Sequence, residues 1–341
     1  MAGTVLVTGG TGYIAGELIK QLLSRGWNVR TTVRNRAKSE AALSQRFGNP
    51  APDRFQVFQA ELMSDDGWAE ANAGCTHVAH VASPLSVAPP KDENEMIVPA
   101  REGTLRALRF AKAAGVKRFV QTSSMAAVAY GRSDKEYTVD ESNWTNADHP
   151  DAYPYVKSKT IAERAARDWI AENGDGMEFV SVNPSMVLGP VDSGDFSASV
   201  VVVKQLLNGS MPMAPDLGFA VVDTRDVADL HVKCLEEPGL AGERFIAAGR
   251  FLKMIEVGQI LRDALPASQT RKIPTRVMPN WMVNLLSLFN PGVRSIKGEL
   301  GKTRHADASH ALKRLGWKTR PEEESIVDCA RSLIEHGVVK V

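Results

Sequence analysis

Thr8-Gly9-Gly10-Thr11-Gly12-Tyr13-Ile14-Ala15-Gly16 directly follows the apolar run Val5-Leu6-Val7, and far downstream stands Tyr155-Val156-Lys157-Ser158-Lys159. In the first stretch Gly10 to Ala15 fit G-x-G-x-x-G/A, and Gly9, Gly12 and Ala15 fit a variant of the same spacing. Placed between a strand and a helix, such glycines allow a tight turn and let the backbone approach a pyrophosphate seated on the helix N-terminus. Ala15 is small enough for close packing of helix on sheet. The residues expected to receive a dinucleotide here are Gly9, Gly12, Tyr13 and Ile14.

Around this turn the first half of the chain alternates short β-branched runs with helical patterns, the signature of parallel βαβ units. Strands are expected at 5–8, 29–33, 55–59, 77–82, 119–123 and 178–182. A helix is expected over 14–24, where Ile14, Leu18 and Leu22 form an apolar stripe and Gly26 follows as a cap. After Pro184 the alternation breaks, and Pro, Gly and Met accumulate. These patterns predict an α/β protein with a Rossmann-type, doubly wound parallel sheet and a smaller C-terminal substrate lobe. Residues 1–184 form mainly the dinucleotide-binding domain, segments at about 219–248 return to it, and 185–341 form mainly the lobe. An amphipathic helix closes the chain at about 322–336.

Composition removes several function classes. The chain of 341 residues carries 41 Lys and Arg against 40 Asp and Glu, for a net charge of +1. That balance gives no global reason to expect nucleic acid as a partner. Three scattered cysteines support neither a disulfide framework nor a metal site. The apolar stretch 281–289 is too short to span a bilayer, and no signal segment precedes the first strand. A cytoplasmic protein is expected, with no membrane partner and no metal.

The second strand leads into Val33-Arg34-Asn35-Arg36-Ala37-Lys38. A carboxylate there would bind the ribose of NAD, whereas a guanidinium offers a planar donor fork to the additional phosphate of NADP. Arg34 is the main candidate, helped by Arg36 and Lys38. Glu61 and Leu62 follow the third strand, within reach of an adenine. Val81, Ala82 and Ser83 end the fourth, where small residues let backbone lie against a cofactor.

Two Tyr-x-x-x-Lys pairs overlap, Tyr153 with Lys157 and Tyr155 with Lys159. Pro154 belongs in the first helical turn, which leaves Tyr155 and Lys159 helical and on one face. Tyr153 precedes a proline and is biased towards extended geometry. The preferred pair is therefore Tyr155 and Lys159. A tyrosine beside an ammonium suits proton transfer to an oxygen on which charge grows, because the ammonium is expected to lower the phenol pKa. The same ammonium suits a nicotinamide ribose, so both residues join the cofactor set. Thr122-Ser123-Ser124, at the end of the fifth strand, supplies a hydroxyl to hold the substrate oxygen.

These motifs, with Tyr155-x-x-Ser158-Lys159-x-x-Ala162-Glu163 and Pro184-x-x-Val187-x-Gly189-Pro190, resemble the extended short-chain dehydrogenases/reductases over essentially the whole chain. The branch is similar to dihydroflavonol 4-reductases, cinnamoyl-CoA reductases and microbial NADPH-dependent aldehyde and ketone reductases. The resemblance implies Ser124 as the catalytic hydroxyl beside Tyr155 and Lys159, Pro184 and Val187 along the nicotinamide, and transfer of the pro-S hydride. Ala129 stands where dihydroflavonol reductases carry an asparagine, which argues against a flavonoid substrate.

The expected activity is NADPH-dependent reduction of an apolar aldehyde or ketone, the small-molecule partner. Pro84, Met125, Leu188 and Trp281 would line the pocket, within the stretches 83–87 and 277–289. Three alternatives stand beside it: a nucleotide-sugar epimerase or dehydratase, a steroid-type hydroxy dehydrogenase, and a non-catalytic NADP(H)-sensing regulator. Exposed helix faces leave room for a homodimer.

Overall fold

The computed structural model describes residues 3–84, 90–192 and 197–340. The strands are β1 (Thr4–Thr8), β2 (Asn28–Val33), β3 (Phe55–Gln59), β4 (His77–His80), β5 (Arg118–Thr122), β6 (Glu136–Val139), β7 (Glu178–Pro184), β8 (Met186–Leu188), β9 (Gly218–Asp223), β10 (Arg244–Ala247), β11 (Phe251–Lys253) and β12 (Thr303–Ala306). Seven of them form a parallel sheet in the order β10-β7-β5-β4-β1-β2-β3. Strand order reverses between β1 and β4. In a doubly wound sheet that is the point where the strand ends splay apart and leave a crevice for a ligand.

Helices cover both faces, so apolar residues on either side of a strand are buried, as Val5, Leu6 and Val7 of β1 are. The helix Tyr13–Ser24 buries Leu18, Ile19 and Leu22 completely against one face. At about 1.5–3 kcal/mol for each side chain withdrawn from water, this stripe is enough to fix the helix to the sheet. The opposite face is closed by Asn94–Ala113 and Pro154–Asn173, whose Leu108 and Ala166 cluster with Phe119, Phe179 and Trp68.

Two departures from the sequence reading have local causes. The fourth strand ends at His80 rather than Ala82 because the N–H groups of Val81 and Ala82 both turn to the Thr8 hydroxyl, at 3.0 and 2.9 Å, and leave the ladder. The segment 219–223 does not return to the large sheet. As β9 it lies between β8 (parallel) and β11 (antiparallel) in a separate three-stranded sheet, and β10 is the strand that goes back. A further two-stranded parallel pair, β6 with β12, ties residues 303–306 to 136–139. Among the described residues no helix is long and apolar enough to cross a membrane.

Candidate active site

The glycine turn occupies the C-terminal end of β1. Gly9 has a φ of +74°, a conformation that favours glycine, and a Cβ there would lie only 3.1 Å from the Ala82 Cβ, so the turn packs tightly on the segment just after β4. A Cβ on Gly10 would strike the Thr31 hydroxyl at 2.2 Å. The N–H groups of Gly9 and Gly10 bond to the Thr32 carbonyl at 3.1 and 3.0 Å, which anchors the turn to β2. Gly12 caps the following helix without a side-chain bond, and the first helical turn holds no carboxylate. The first N–H groups of a helix have no partner within it, and its N-terminus carries partial positive charge, so this end is suited to a pyrophosphate. Tyr13 is buried and donates to the Gly189 carbonyl at 2.8 Å, locking the helix start to the segment after β8.

Thr8 was not singled out by sequence, yet its hydroxyl joins three groups. It accepts from Val81 and Ala82 and meets His80 Nδ1 at 3.1 Å. Burial, then the Lys159 charge, pushes His80 down to about 3, so this imidazole stays neutral.

Arg34 is exposed at the end of β2 and has no hydrogen-bond or ion-pair partner among the described residues. Arg36 is committed: its guanidinium forks onto Glu40 at 3.0 and 2.8 Å. Lys38 is exposed, with its backbone N–H capped by Asn35. Glu61 is exposed and Leu62 half-buried. Val81, Ala82, Ser83 and Pro84 are half-buried, whereas Leu85, Ser86 and Val87 lie outside the described residues.

Pro154 occupies the first turn of the helix Pro154–Asn173, and Tyr153 is its extended N-cap. This is the geometry that favours Tyr155 with Lys159. The Tyr155 hydroxyl donates to Ser124 Oγ at 3.4 Å. The neighbouring serine faces elsewhere, because Ser123 Oγ donates to Glu163 at 2.6 Å. Ser124 is therefore the hydroxyl of this pair that meets the tyrosine.

The electrostatics differ from expectation. Burial raises the Tyr155 pKa above its ordinary value, and only the Ser124 contact pulls it back; the Lys159 charge is not among the influences on it. Burial pushes Lys159 itself down to about 8, against an opposing pull from Glu163. The phenol thus enters a reaction fully protonated, as a donor must.

The pocket residues divide. Met125 is buried beside Ser124, while Leu188 is fully buried in the main core, where β8 pairs with β9, and offers no wall to an open cavity. Trp281 is 66% exposed in the short helix Asn280–Leu286. Pro184 and Val187 are buried.

A parallel sheet that reverses order beside a glycine turn, with a Ser just past β5 and a Tyr and Lys on the helix Pro154–Asn173, is the architecture of a dinucleotide-binding enzyme. Residues 5–248 match the NAD dependent epimerase/dehydratase family. A cinnamoyl-CoA reductase of Medicago truncatula is 37% identical over 79% of this chain and 83% of its own length. Cinnamoyl-CoA reductase 2 of Arabidopsis thaliana is 32% identical over 98% of this chain and 93% of its own. The crystal structure of yeast methylglyoxal/isovaleraldehyde reductase Gre2 complexed with NADPH superposes with a TM-score of 0.81 at 26% identity, covering 98% of this chain and all of that one. The chain belongs to the NAD-dependent epimerase/dehydratase family, the extended short-chain dehydrogenases/reductases, and is an oxidoreductase within it.

Proposed function

We propose that this protein reduces an apolar aldehyde or ketone to the alcohol with NADPH, Tyr155 delivering the proton. It is an NADP-dependent oxidoreductase acting on carbonyl groups, in keeping with the reductases it resembles. The observation that carries the mechanism is the Tyr155–Ser124 contact at 3.4 Å, with Lys159 one helical turn further on.

When bound, NADPH supplies the hydride. Gly9, Gly12, Tyr13 and Ile14 would receive its pyrophosphate, and Arg34, helped by Lys38, would take the additional phosphate. Glu61 and Leu62 border the adenine. Val81, Ala82, Ser83, Pro184 and Val187 would lie along the remainder, and Lys159 would hold the ribose. Tyr155 and Ser124 converge on the carbonyl oxygen. Ser124 orients it, and Tyr155 donates the proton as charge develops there. Pro84, Met125 and the segment around Trp281 supply apolar surface for the substrate.

The test follows NADPH oxidation against a panel of apolar aldehydes and ketones, with and without Tyr155→Phe. Turnover that falls by about 100-fold or more in the variant, with NADPH binding retained, is the expected result. No turnover across the panel by protein that binds NADPH would overturn the reductase reading in favour of an epimerase or a sensor.

A further inference from the structure

Ser124 opens a three-residue 3-10 turn beyond the end of β5, outside the ladder of the large sheet. Within that turn the Ser124 carbonyl accepts from the Ala127 N–H at 2.9 Å, and a side chain holds it from outside. The Asn183 Nδ2 group donates to the Ser124 carbonyl at 3.1 Å and to Glu163 Oε2 at 2.8 Å. Glu163 Oε2 also accepts from Ser123 Oγ at 2.6 Å, so one carboxylate oxygen grips the residue before Ser124 and the amide that holds Ser124 itself. The other oxygen, Oε1, accepts from Ser181 at 2.9 Å and Arg244 at 2.7 Å. Glu163 is completely buried, on the same helix as Tyr155 and Lys159.

The orientation of Asn183 is determined by its partners. Both contacts of its nitrogen are acceptors, so the flipped amide would set oxygen against oxygen. Its Oδ1 is buried and has no partner among the described residues. Leaving a buried acceptor unpaired is costly. The amide thus keeps its two donor bonds at the expense of its oxygen.

We propose that Glu163, acting through Asn183 and Ser123, is a positioning residue that sets Ser124 against Tyr155. The proposal rests on the reading of Ser124 as the group that orients the carbonyl oxygen. Three strand ends converge on one carboxylate, while the helix bearing that carboxylate also carries the proton donor. The distance between donor and hydroxyl is in this way fixed by a rigid, buried connection rather than by the short turn alone.

Glu163→Gln would leave Arg244 and Arg167 without a counter-charge, so the test uses Asn183→Leu, Ser123→Ala, Ser124→Ala and the double variant Asn183→Leu/Ser124→Ala. Asn183→Leu is expected to lower kcat by about 10- to 100-fold, because a small misplacement of a catalytic group has a cost of that order. KM for the carbonyl and Kd for NADPH should stay within about twofold, and Ser123→Ala should lower kcat by less. In the double variant kcat should equal that of Ser124→Ala alone, because a residue that acts through Ser124 has nothing left to position. A crystal structure of Asn183→Leu should show the Tyr155–Ser124 contact lengthened beyond 3.4 Å. Unchanged kcat in Asn183→Leu, losses that multiply in the double variant, or an unchanged contact would each overturn the proposal. Full turnover in Ser124→Ala would instead overturn the catalytic reading of Ser124, and the crystallographic contact would still decide whether Asn183 positions it.

Discussion

Replacing Lys159 by methionine should make the protein more stable while removing its activity. Lys159 is 8% exposed, and burial holds it at about 8 instead of the ordinary 10.5. At pH 7 the side chain is charged in both the folded and the unfolded chain, and the folded one carries a charging penalty of about 3 kcal/mol. Methionine is of similar length, unbranched and carries no charge, so it fills the space without the penalty. The expected gain at pH 7 is therefore about 3 kcal/mol, or about 4 °C in Tm for a chain of this length.

The sign of the pH dependence follows from the direction of the shift. Between about 8 and 10.5 the unfolded chain binds the proton more readily than the folded one, so wild-type stability rises with pH across that window. The advantage of Lys159→Met must shrink over the same range and disappear above it. Urea unfolding of both proteins at pH 7, 9 and 10.5 measures this directly. A variant no more stable than wild type at pH 7, or an advantage that does not change with pH, would refute the reasoning. In wild type, kcat/KM for NADPH should fall as pH rises through about 8, since that ratio reports ionisations of the free protein.

Arg34→Gln should weaken NADPH binding by about 10- to 100-fold, the value of a charge-assisted hydrogen bond or two, with little change for NADH. Arg36→Gln should leave both affinities in place because its guanidinium is occupied by Glu40; isothermal titration of the four combinations checks the contrast. Gly9→Ala forces a side chain into a left-handed conformation and against Ala82. A loss of about 1–2 kcal/mol in stability is expected, read by thermal unfolding, with a fall in NADPH affinity measured alongside.

Much of this was legible in the sequence because it is local. The glycine turn, the first helix and the choice of Tyr155 over Tyr153 each depend on residues within one helical turn of one another, and Pro154 alone decides the last. What sequence could not give depends on contacts between distant segments. The Thr8 hydroxyl sits in a run that reads as ordinary strand, and its bonds to Val81 and Ala82 cross from β1 to the end of β4. The lowered Tyr155 pKa inferred from spacing failed for a related reason. Spacing places an ammonium nearby but says nothing of burial, which dominates both groups.

The least legible feature is a polar row that crosses the large sheet at a single level. Thr32 pairs with Thr8, Thr8 contacts His80, His80 pairs with Gln121, Gln121 with Ser181, and Ser181 with Arg244. All six are buried. In most of these strands the residue is one of two or more polar positions, and none of them stands out by itself. Partners in register on parallel strands point to the same face, so the fold assembles them into a polar belt, and Ser181 and Arg244 bring its far end to Glu163. Burying so many polar groups is unfavourable unless they are bonded. The belt places that cost near the strand ends where the proton donor stands, while the strands beneath it remain packed with apolar side chains. Rigidity around Tyr155 and Lys159 thus follows from strand register, which is established only when the whole sheet has formed.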